Sequence, residues 1–326
     1  MALSGRRHQS MHDYFTLQRD FVASLQKNYP AITDAKWLDI HAKAGSIKLI
    51  DALNLRAEIA AAAPKKLLEV GSYLGFSSRW ILDSLPDDGS TLCSIDPNLK
   101  HRIFPDVSCH AAQFCASAGS RYQQKRAFLS ERNMGILGAY KRDRDLSDAE
   151  IAEIIAMIHA VDVVAEPFDQ FDFAFIDGDH SYRATVLNLD LVSRMMQPGS
   201  RIILHDAISW PQVVPAVTDL VAASDGALRL DVVLGADFHD AYGDRLKQID
   251  LQPKKARLAA HSLCDGLAVV TVCTPVTIPK ARLDRLLEGH DPKSVETLNA
   301  PPAKRPHRSV LRRALGRVTR ALRVRS

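Results

Sequence analysis

The stretch Lys66-Leu-Leu-Glu-Val-Gly-Ser-Tyr-Leu-Gly-Phe-Ser77 decides the fold of this chain. It begins with an apolar run of strand length, passes two glycines at positions 71 and 75, and enters a helical pattern over residues 77–85. Ser77 or Ser78 is placed to cap that helix. Glycines at such a junction let the backbone turn tightly and let a ligand approach the main chain. We therefore expect a strand, a ligand-binding turn and a helix in this order.

Further strands alternate with helices towards the C-terminus. The remaining strands are predicted over residues 91–96, 126–130, 171–177, 201–206, 228–234 and 267–274, with helices over 182–196 and 213–223 and a turn at 197–199. Most of these strands are near-continuous apolar runs, which are typical of a parallel sheet covered on both faces. The last two can form an antiparallel edge pair. The pattern predicts a doubly wound, mostly parallel α/β fold with a seven-stranded sheet.

Three segments follow from this pattern. Residues 1–62 are expected to be an N-terminal helical segment, which Pro64 closes, and residues 63–276 to be the α/β core. The core carries insertions near 131–168, with a helix over 147–160, and near 235–266. They either shape a substrate pocket or elaborate the surface. Residues 277–326 are expected to form a C-terminal helix and a basic tail.

The basic tail accounts for the positive charge of the chain. From residue 301 to residue 326 there are nine Lys or Arg and no acid; removing these nine charges from the formal +4 leaves the rest at −5. A basic isoelectric point is therefore no argument for nucleic-acid binding by the body. The tail predicts a basic amphipathic helix that contacts an anionic membrane, contacts RNA, packs on the body or stays solvated. Its apolar positions are Leu311, Leu315, Val318 and Leu322.

The sequence also bears on the compartment. No secretory signal and no apolar run of about 18 residues are present, and the five cysteines form no C-x-x-C motif. A reducing cytoplasm fits this usage best, with contact at the inner membrane surface as an open alternative. Cys93 and Cys273 lie in apolar runs and are expected to be buried, inert thiols.

The turn predicts the kind of ligand. Its glycines have the spacing G-x-x-x-G rather than the G-x-G-x-x-G of dinucleotide sites, and Glu69 lies two residues before Gly71. A pyrophosphate would be repelled by Glu69, whereas an ammonium or sulfonium cation would be attracted. Asp96 ends the next strand and can accept both hydroxyls of a ribose. S-adenosylmethionine has both features.

A second group of polar residues ends two later strands. Asp177 and Asp206 are expected at neighbouring carboxyl ends, where they repel each other unless a cation or a proton lies between them. Oxygen ligands of this kind suit Mg²⁺, and the alternative is that both carboxylates bind backbone donors. His180, with an ordinary pKa of about 6.5, can take a proton from a hydroxyl, or it can order the loop.

From about Pro64 to Pro275 the chain resembles the class I methyltransferases, which have a Rossmann-like fold. It is similar to the branch whose strand ends in Asp-Gly-Asp-His-Ser-Tyr, here residues 177–182, and in particular to the macrolide sugar O-methyltransferases. The resemblance implies an S-adenosylmethionine site. We expect that site to be lined by Glu69, Gly71, Ser72, Tyr73, Gly75, Ser77, Asp96 and Asp177.

The resemblance also implies a metal and a base. In the sugar methyltransferases an Asp at the position of Asp177 and two acids at the positions of His205 and Asp206 hold the metal, and a His at the position of His180 is the proposed general base. Here His205 replaces one acid, which disfavours Mg²⁺ and is tolerated by Mn²⁺. The expected ligands are Asp177, His205 and Asp206, and the expected catalytic residues are His180 and Asp177.

These observations predict an S-adenosylmethionine-dependent O-methyltransferase that acts on a hydroxyl of a sugar, a glycan or a small natural product. One alternative is an RNA or protein methyltransferase that binds through the basic tail, although the body is acidic and no Asn-Pro-Pro-Tyr motif for amino-group methylation is present. Others are a different enzyme on the same fold and a non-catalytic protein that binds an adenosyl ligand. The pattern predicts no oligomeric state.

Overall fold

A computed structural model describes residues 47–86, 89–99, 111, 115–143, 145–239 and 264–291. Residues 1–46 of the predicted N-terminal helical segment, the middle of the second insertion, Cys109 and the amphipathic helix of the tail lie outside these residues and stay predictions. Within the described residues, no helix is long and apolar enough to cross a membrane.

In the part of the chain that the structure describes, eight strands form one mixed sheet in the order β4-β3-β2-β1-β5-β6-β8-β7. All neighbours pair in parallel except β8, which is antiparallel to both β6 and β7. The mostly parallel α/β fold and the antiparallel edge pair are thus confirmed. The strands are β1 Lys66–Val70, β2 Thr91–Asp96, β3 Tyr122–Leu129, β4 Asp162–Val164, β5 Phe171–Ile176, β6 Met196–Leu204, β7 Leu228–Leu234 and β8 Leu267–Val272.

Helices connect these strands. They are α1 Leu49–Ala62, α2 Phe76–Ser84, α3 Gly135–Asp143, α4 Asp148–His159, α5 Tyr182–Arg194, α6 Val213–Ala223 and α7 Lys280–Leu287, together with a 3₁₀ helix over Ala116–Arg121. Two of them have side-chain caps. Ser147 and Glu150 form a capping box at the start of α4, and the Ser181 hydroxyl accepts from the Ala184 N–H at the start of α5.

The core has two halves because successive side chains of a strand point to opposite faces of the sheet. Leu67 and Phe175 pack with α1 and α2 on one face, whereas Leu68 and Ala174 pack with α5 and α6 on the other. Both faces of the sheet are therefore covered, as the apolar runs predict. Helix α1 is part of the core and lies on the same face as α2.

The segment between β3 and β5 has a small core of its own. Phe128 of β3 packs against Tyr140 of α3 and Ile158 of α4, all of them buried. This segment also contributes β4, which pairs with β3. The prediction of seven strands is wrong for this reason: β4 has only three residues, too few to produce a recognisable pattern.

Three further details differ from the predictions. Strand β3 begins at Tyr122 instead of Arg126, because its first half is polar and largely exposed. The predicted turn at 197–199 is an irregularity inside β6: Met196 pairs with Phe171 and Arg201 with Phe173. Cys93 and Cys273 are only partly buried, whereas Cys115 and Cys264 are buried.

The chain reverses direction across the sheet between β1 and β5. It runs outward from β1 to β4 on one side and returns to β5 on the other side of β1. Ligands of such sheets bind outside the carboxyl ends of the strands at this switch point. The predicted site residues follow β1, β2, β5 and β6, so this edge of the sheet is where they meet.

Candidate functional site

Backbone hydrogen bonds continue past the ends of the strands and align the loops of the site. The Gly71 N–H donates to the Ile95 carbonyl at 2.8 Å, and the Asp177 N–H donates to the Val70 carbonyl at 2.7 Å. The His205 N–H donates to the Ile176 carbonyl at 2.9 Å. Gly71, Asp177 and His205 therefore lie at one level, just beyond the carboxyl edge of the sheet.

The two glycines of the turn are required by the backbone around them. Gly71 has a φ of +88°, and a Cβ there would lie 2.3 Å from the Asp177 carbonyl oxygen. Gly75 has a φ of +90°, and its Cβ would lie 2.8 Å from the Cα of Ala111. Both values are too short for real contacts, so only glycine fits at these two positions of the turn.

Glu69 holds the turn from inside the protein. Its side chain is fully buried, and it accepts hydrogen bonds from the Ser77 hydroxyl at 2.6 Å and the Ser78 hydroxyl at 2.5 Å. The prediction that one of these serines caps α2 is therefore wrong: the cap residue is Gly75, with no side-chain bond. Burial raises the pKa of Glu69 to about 7 although both serines lower it.

Asp96 fixes the other side of the turn. One carboxylate oxygen accepts from the Tyr73 N–H at 2.8 Å, and the second accepts from the Asn98 N–H at 2.6 Å. Tyr73 has a φ of 47°, and the neighbouring Ser72 is buried. Asp96 and the turn thus come together as expected. A carboxylate oxygen can accept more than one hydrogen bond.

Beyond β5 and β6, an imidazole lies between the two carboxylates. His180 Nε2 is 2.9 Å from Asp206 Oδ2 and 3.3 Å from Asp177 Oδ1. Asp206 has a left-handed φ of 60°, and the Ser209 hydroxyl donates to its other oxygen at 2.5 Å. The structure brings Asp177, His180 and Asp206 together, and the ring of His180 is the group that separates the two acids.

His205 lies deeper than its neighbours and faces two carboxylates. Its Nδ1 is 2.9 Å from Asp177 Oδ1, and its Nε2 is 3.3 Å from Asp51 Oδ2. The Asp206 oxygen is more distant, at 3.9 Å from Nδ1. His205 is buried, and both ring nitrogens are occupied by acidic partners. Its Nδ1 thus lies within 4 Å of both Asp177 and Asp206, but its nearest partners, Asp177 and Asp51, already engage the two ring nitrogens.

The acids and imidazoles of this site shift one another's pKa values. Burial alone would lower the pKa of His180, but its hydrogen bonds to Asp177 and Asp206 and their charges raise it to about 9. Burial likewise opposes the charged form of His205, yet Asp177 and Asp206 hold its pKa well above the usual range. The pKa of Asp177 would rise through burial, but the His205 and His180 rings hold it well below its usual range. The His180 ring, whose protonated form both acids favour, therefore lies where the sequence predicts a cation or a proton.

The carboxylates and the His180 ring are close enough together to hold a metal ion. The ligand atoms of Asp177, His180 and Asp206 all lie within 4.8 Å of one another, so two oxygens and one nitrogen have the spacing of a metal site. Such a set suits Mn²⁺ better than Mg²⁺. His180 takes the place that the sequence assigned to His205, because the ring of His205 is held by Asp177 and Asp51.

Two neighbours of this cluster were missed by the sequence analysis. Trp210 is 44% exposed, and its ring centroid lies 5.3 Å from that of His180. The backbone N–H of Trp210 donates to the Asp206 carbonyl at 3.0 Å, which fixes the main chain at this position. Asp51, on α1, is fully buried beside His205. An aromatic residue four positions after Asp206 was a usable signal, whereas nothing in the pattern of α1 distinguished Asp51.

Known proteins resemble this chain in sequence or fold. Residues 68–207 match the family model described as a methyltransferase domain. An O-methyltransferase from Bacillus cereus, solved with SAH, is 14% identical, with a TM-score of 0.43, covering 77% of this chain and 90% of that one. The O-methyltransferase TomG from Streptomyces achromogenes, solved with SAM, is 16% identical, with a TM-score of 0.39, covering 78% and 88%. With such low values, neither structure identifies the substrate or the site of this chain.

A search of curated proteins returned no significant match. The family match spans the glycine turn, Asp96, and the acids and imidazoles Asp177, His180, His205 and Asp206. It begins inside β1 and ends just after Asp206, which is the part of the sheet that forms the switch point. Over residues 68–207 the chain is therefore similar to methyltransferase domains.

Proposed function

We propose that this chain is an S-adenosylmethionine-dependent O-methyltransferase. One observation carries the proposal: the glycine turn, Asp96 and the cluster of Asp177, His180 and Asp206 lie at the same carboxyl edge of the sheet. This edge holds a site for a ribose ligand beside a group that can accept a proton. Both are needed when a hydroxyl receives the methyl group of a sulfonium.

The cofactor is proposed to bind over the glycine turn. Gly71 has no side chain that could cover the main chain of the turn, and Ser72 and Tyr73 follow it. Asp96 would accept the ribose hydroxyls. The buried carboxylate of Glu69 disfavours a pyrophosphate here. Because both its oxygens are held by serine hydroxyls, we assign Glu69 to shaping the turn of the cofactor site.

The acceptor hydroxyl is proposed to bind beside His180. Since Asp206 and Asp177 lie against Nε2, they hold the proton on that nitrogen and leave Nδ1 to accept a proton, as a carboxylate does in other acid–histidine pairs. The hydroxyl proton passes to Nδ1, the oxygen attacks the methyl carbon in line, and the carbon–sulfur bond breaks with its electron pair going to sulfur. The products are the methyl ether and S-adenosylhomocysteine.

Asp177 and Asp206 give this step its driving force. Their charges favour the protonated imidazole that forms when His180 accepts the proton, which is why its pKa is about 9. The positive charge of bound sulfonium opposes that proton before transfer and vanishes as the methyl group leaves. The imidazole is thus a weaker proton acceptor with the cofactor bound than in the free protein.

A metal at Asp177, His180 and Asp206 would supply a Lewis acid for the acceptor oxygen. It would bind Nε2, and the remaining ring proton would then stay on Nδ1. Metal ligation by His180 and proton acceptance by His180 therefore exclude each other. The proposed step uses only the side chains of this chain.

The proposed acceptor is a hydroxyl on a ring, such as that of a sugar, a glycan or a small natural product. The exposed ring of Trp210 beside His180 supports this class. An indole face can stack on the apolar face of a sugar or on an aromatic ring. Because the backbone of Trp210 is already fixed, binding loses little further conformational entropy there.

The first experiment is thermal unfolding of the protein with S-adenosylmethionine, S-adenosylhomocysteine, NAD and ATP, each with and without Mg²⁺. A ligand present at about 100 times its Kd stabilises the protein by about 2.7 kcal/mol, which is several degrees. A shift with the two adenosyl-sulfur ligands alone supports the proposal. A shift with NAD or ATP alone, or none, contradicts it. Transfer of labelled methyl groups to a panel of sugars and phenols then identifies the acceptor.

The tail is proposed to contact an anionic membrane surface. Its support is the sequence alone: nine basic residues without an acid, with apolar positions at helical spacing over residues 301–326. Sedimentation with vesicles should retain the full chain on phosphatidylserine-containing lipid and not on neutral lipid, and a chain without residues 301–326 should stay in solution on both. Equal retention of both chains would contradict the proposal.

A further inference from the structure

Helix α1, which lies outside the matched domain, carries a fully buried carboxylate. Asp51 has no exposed surface and accepts hydrogen bonds from the Asp265 N–H at 2.7 Å and the Gly266 N–H at 3.0 Å. The thiol of Cys264 donates to it at 3.2 Å, and His205 Nε2 faces it at 3.3 Å. A buried carboxylate is retained only where such donors compensate its desolvation.

His205 connects Asp51 to the methyl-transfer site. Its two nitrogens face Asp51 and Asp177, so both carry hydrogen and neither is free to accept a proton. The ring is also buried, with Phe175 at a centroid distance of 6.1 Å, and cannot reach a substrate. Its contact with Asp177 uses the same oxygen that His180 approaches, Oδ1.

We propose that Asp51 and His205 are positioning residues: Asp51 fixes the ring of His205, and His205 fixes the Asp177 carboxylate that faces His180. This proposal rests on the proposed function, which makes the pair of Asp177 and His180 part of the methyl-transfer site. Asp177 lies in the loop just after β5, where only the position of its backbone is set by the strand. Side-chain partners must therefore hold its carboxylate, and partners of this kind typically change activity about 10- to 100-fold when they are removed.

A purely structural role is the main alternative. Asp51 also joins α1 to the residues before β8, and this link alone would explain its burial. Glu58 offers a matched control, because it lies on the same helix, is also buried, and pairs with Arg201 of β6 away from the site. If Asp51 has only a structural role, then substitutions at Asp51 and Glu58 should have the same effect on kcat. If Asp51 is a positioning residue, then only the substitution at Asp51 should lower kcat.

The test compares Asp51→Asn with Glu58→Gln in the full chain. The first substitution keeps the shape of the side chain but places an amide NH₂ group against an N–H donor. We expect Asp51→Asn to lower kcat about 10-fold or more, with the Kd for S-adenosylhomocysteine within about 2-fold of the original value. Glu58→Gln should lower the melting temperature and leave kcat unchanged. Equal kcat values in the two variants would overturn the proposal.

The link through His205 is tested by a double-mutant cycle. If Asp51 acts through the ring, then Asp51→Asn should lower kcat no further in a chain that already carries His205→Gln. Independent, multiplicative losses would overturn the proposal. His205→Gln alone should reproduce the loss of kcat, so the proposal is also tested if Asp51→Asn fails to fold: unchanged kcat in His205→Gln contradicts it.

One readout does not depend on turnover. Both ring N–H groups of His205 are buried in hydrogen bonds, so their ¹⁵N–¹H signals should resist exchange with water, and Asp51→Asn should remove that protection while Glu58→Gln preserves it. Absence of this difference would overturn the link even if no acceptor is found. If the original protein transfers no methyl group to any acceptor, the proposed function fails, and that result is distinct from protected ring protons that depend on Asp51.

Discussion

The two halves of the site are built differently. The half after β1 and β2 is shaped by backbone: two glycines with positive φ, and an aspartate that binds two N–H groups. The half after β5 and β6 is shaped by side chains, with alternating acids and imidazoles from Asp206 through His180 and Asp177 to His205 and Asp51. A backbone site depends on local sequence, whereas a side-chain network depends on distant elements. Substitutions in the first half should therefore act through backbone strain, whereas substitutions in the second half should lower turnover.

The largest effect is expected at Gly71 on the backbone side. Gly71→Ala forces a Cβ against the Asp177 carbonyl in a conformation that L-residues rarely adopt, so we expect it to lower the free energy of unfolding by more than about 3 kcal/mol and to abolish binding of S-adenosylhomocysteine. Chemical denaturation and calorimetric titration measure both.

Gly199 provides the control for that substitution. It also has a φ of +90°, but nothing lies within 4 Å of a Cβ there, so Gly199→Ala should cost about 1–2 kcal/mol and leave binding intact. If the two variants lose equal stability, then positive φ alone explains the need for Gly71 and the close approach to Asp177 does not.

The next effect is expected at His180 on the side-chain side. His180→Ala removes the proposed proton acceptor without touching the glycine turn, so kcat should fall about 100- to 10,000-fold while the Kd for S-adenosylhomocysteine changes little. Steady-state kinetics with labelled cofactor and calorimetry separate the two quantities. His159, exposed at the end of α4, is the control, and His159→Ala should leave both unchanged. Equal losses of binding and turnover would indicate a structural role for His180.

The smallest effect is expected in the pH dependence of kcat/KM and kcat. His180 must be neutral to accept a proton, and its pKa is about 9 in the free protein. We therefore expect kcat/KM for S-adenosylmethionine to rise with pH, to reach half its maximum near pH 9 and to level off above it. Bound sulfonium opposes the protonated ring, so the limb in kcat should lie at lower pH than the limb in kcat/KM. A limb in kcat/KM near 6.5 would contradict the pairing of His180 with Asp177 and Asp206.

The contrast between the two halves also explains how far the sequence predicts the structure. The bounds predicted for β2, α6 and β7 agree with the structure, because apolar runs and their breakers are local signals. β3 was predicted too short because polar residues hide its first half, and β4 was missed because it has three residues. Local pattern is thus sufficient for strands that are apolar runs and insufficient for β3 and β4, which are partly polar or very short.

The candidate site follows the same rule. Gly71, Asp96, Asp177, His180 and Asp206 could be placed at one edge because each follows a recognisable strand. Ser77 and Ser78 were predicted to cap the helix, whereas both donate to Glu69. A serine at the start of a helix can do either, so its position in the sequence does not distinguish the two roles. The partner of His205 could not be predicted, because Asp51 is 154 positions away and no short-range pattern connects them.

Asp51 also sets an order for assembly of the protein. Its hydrogen bonds from Asp265 and Gly266 span 214 and 215 positions of the chain, so during synthesis the carboxylate leaves the ribosome long before its donors exist. Until β8 inserts between β6 and β7, α1 would have to bury an unsatisfied charge, and we expect it to dock late. A nascent chain that already contains the whole matched domain would still lack a closed site, and methyl transfer could begin only once β8 is in place.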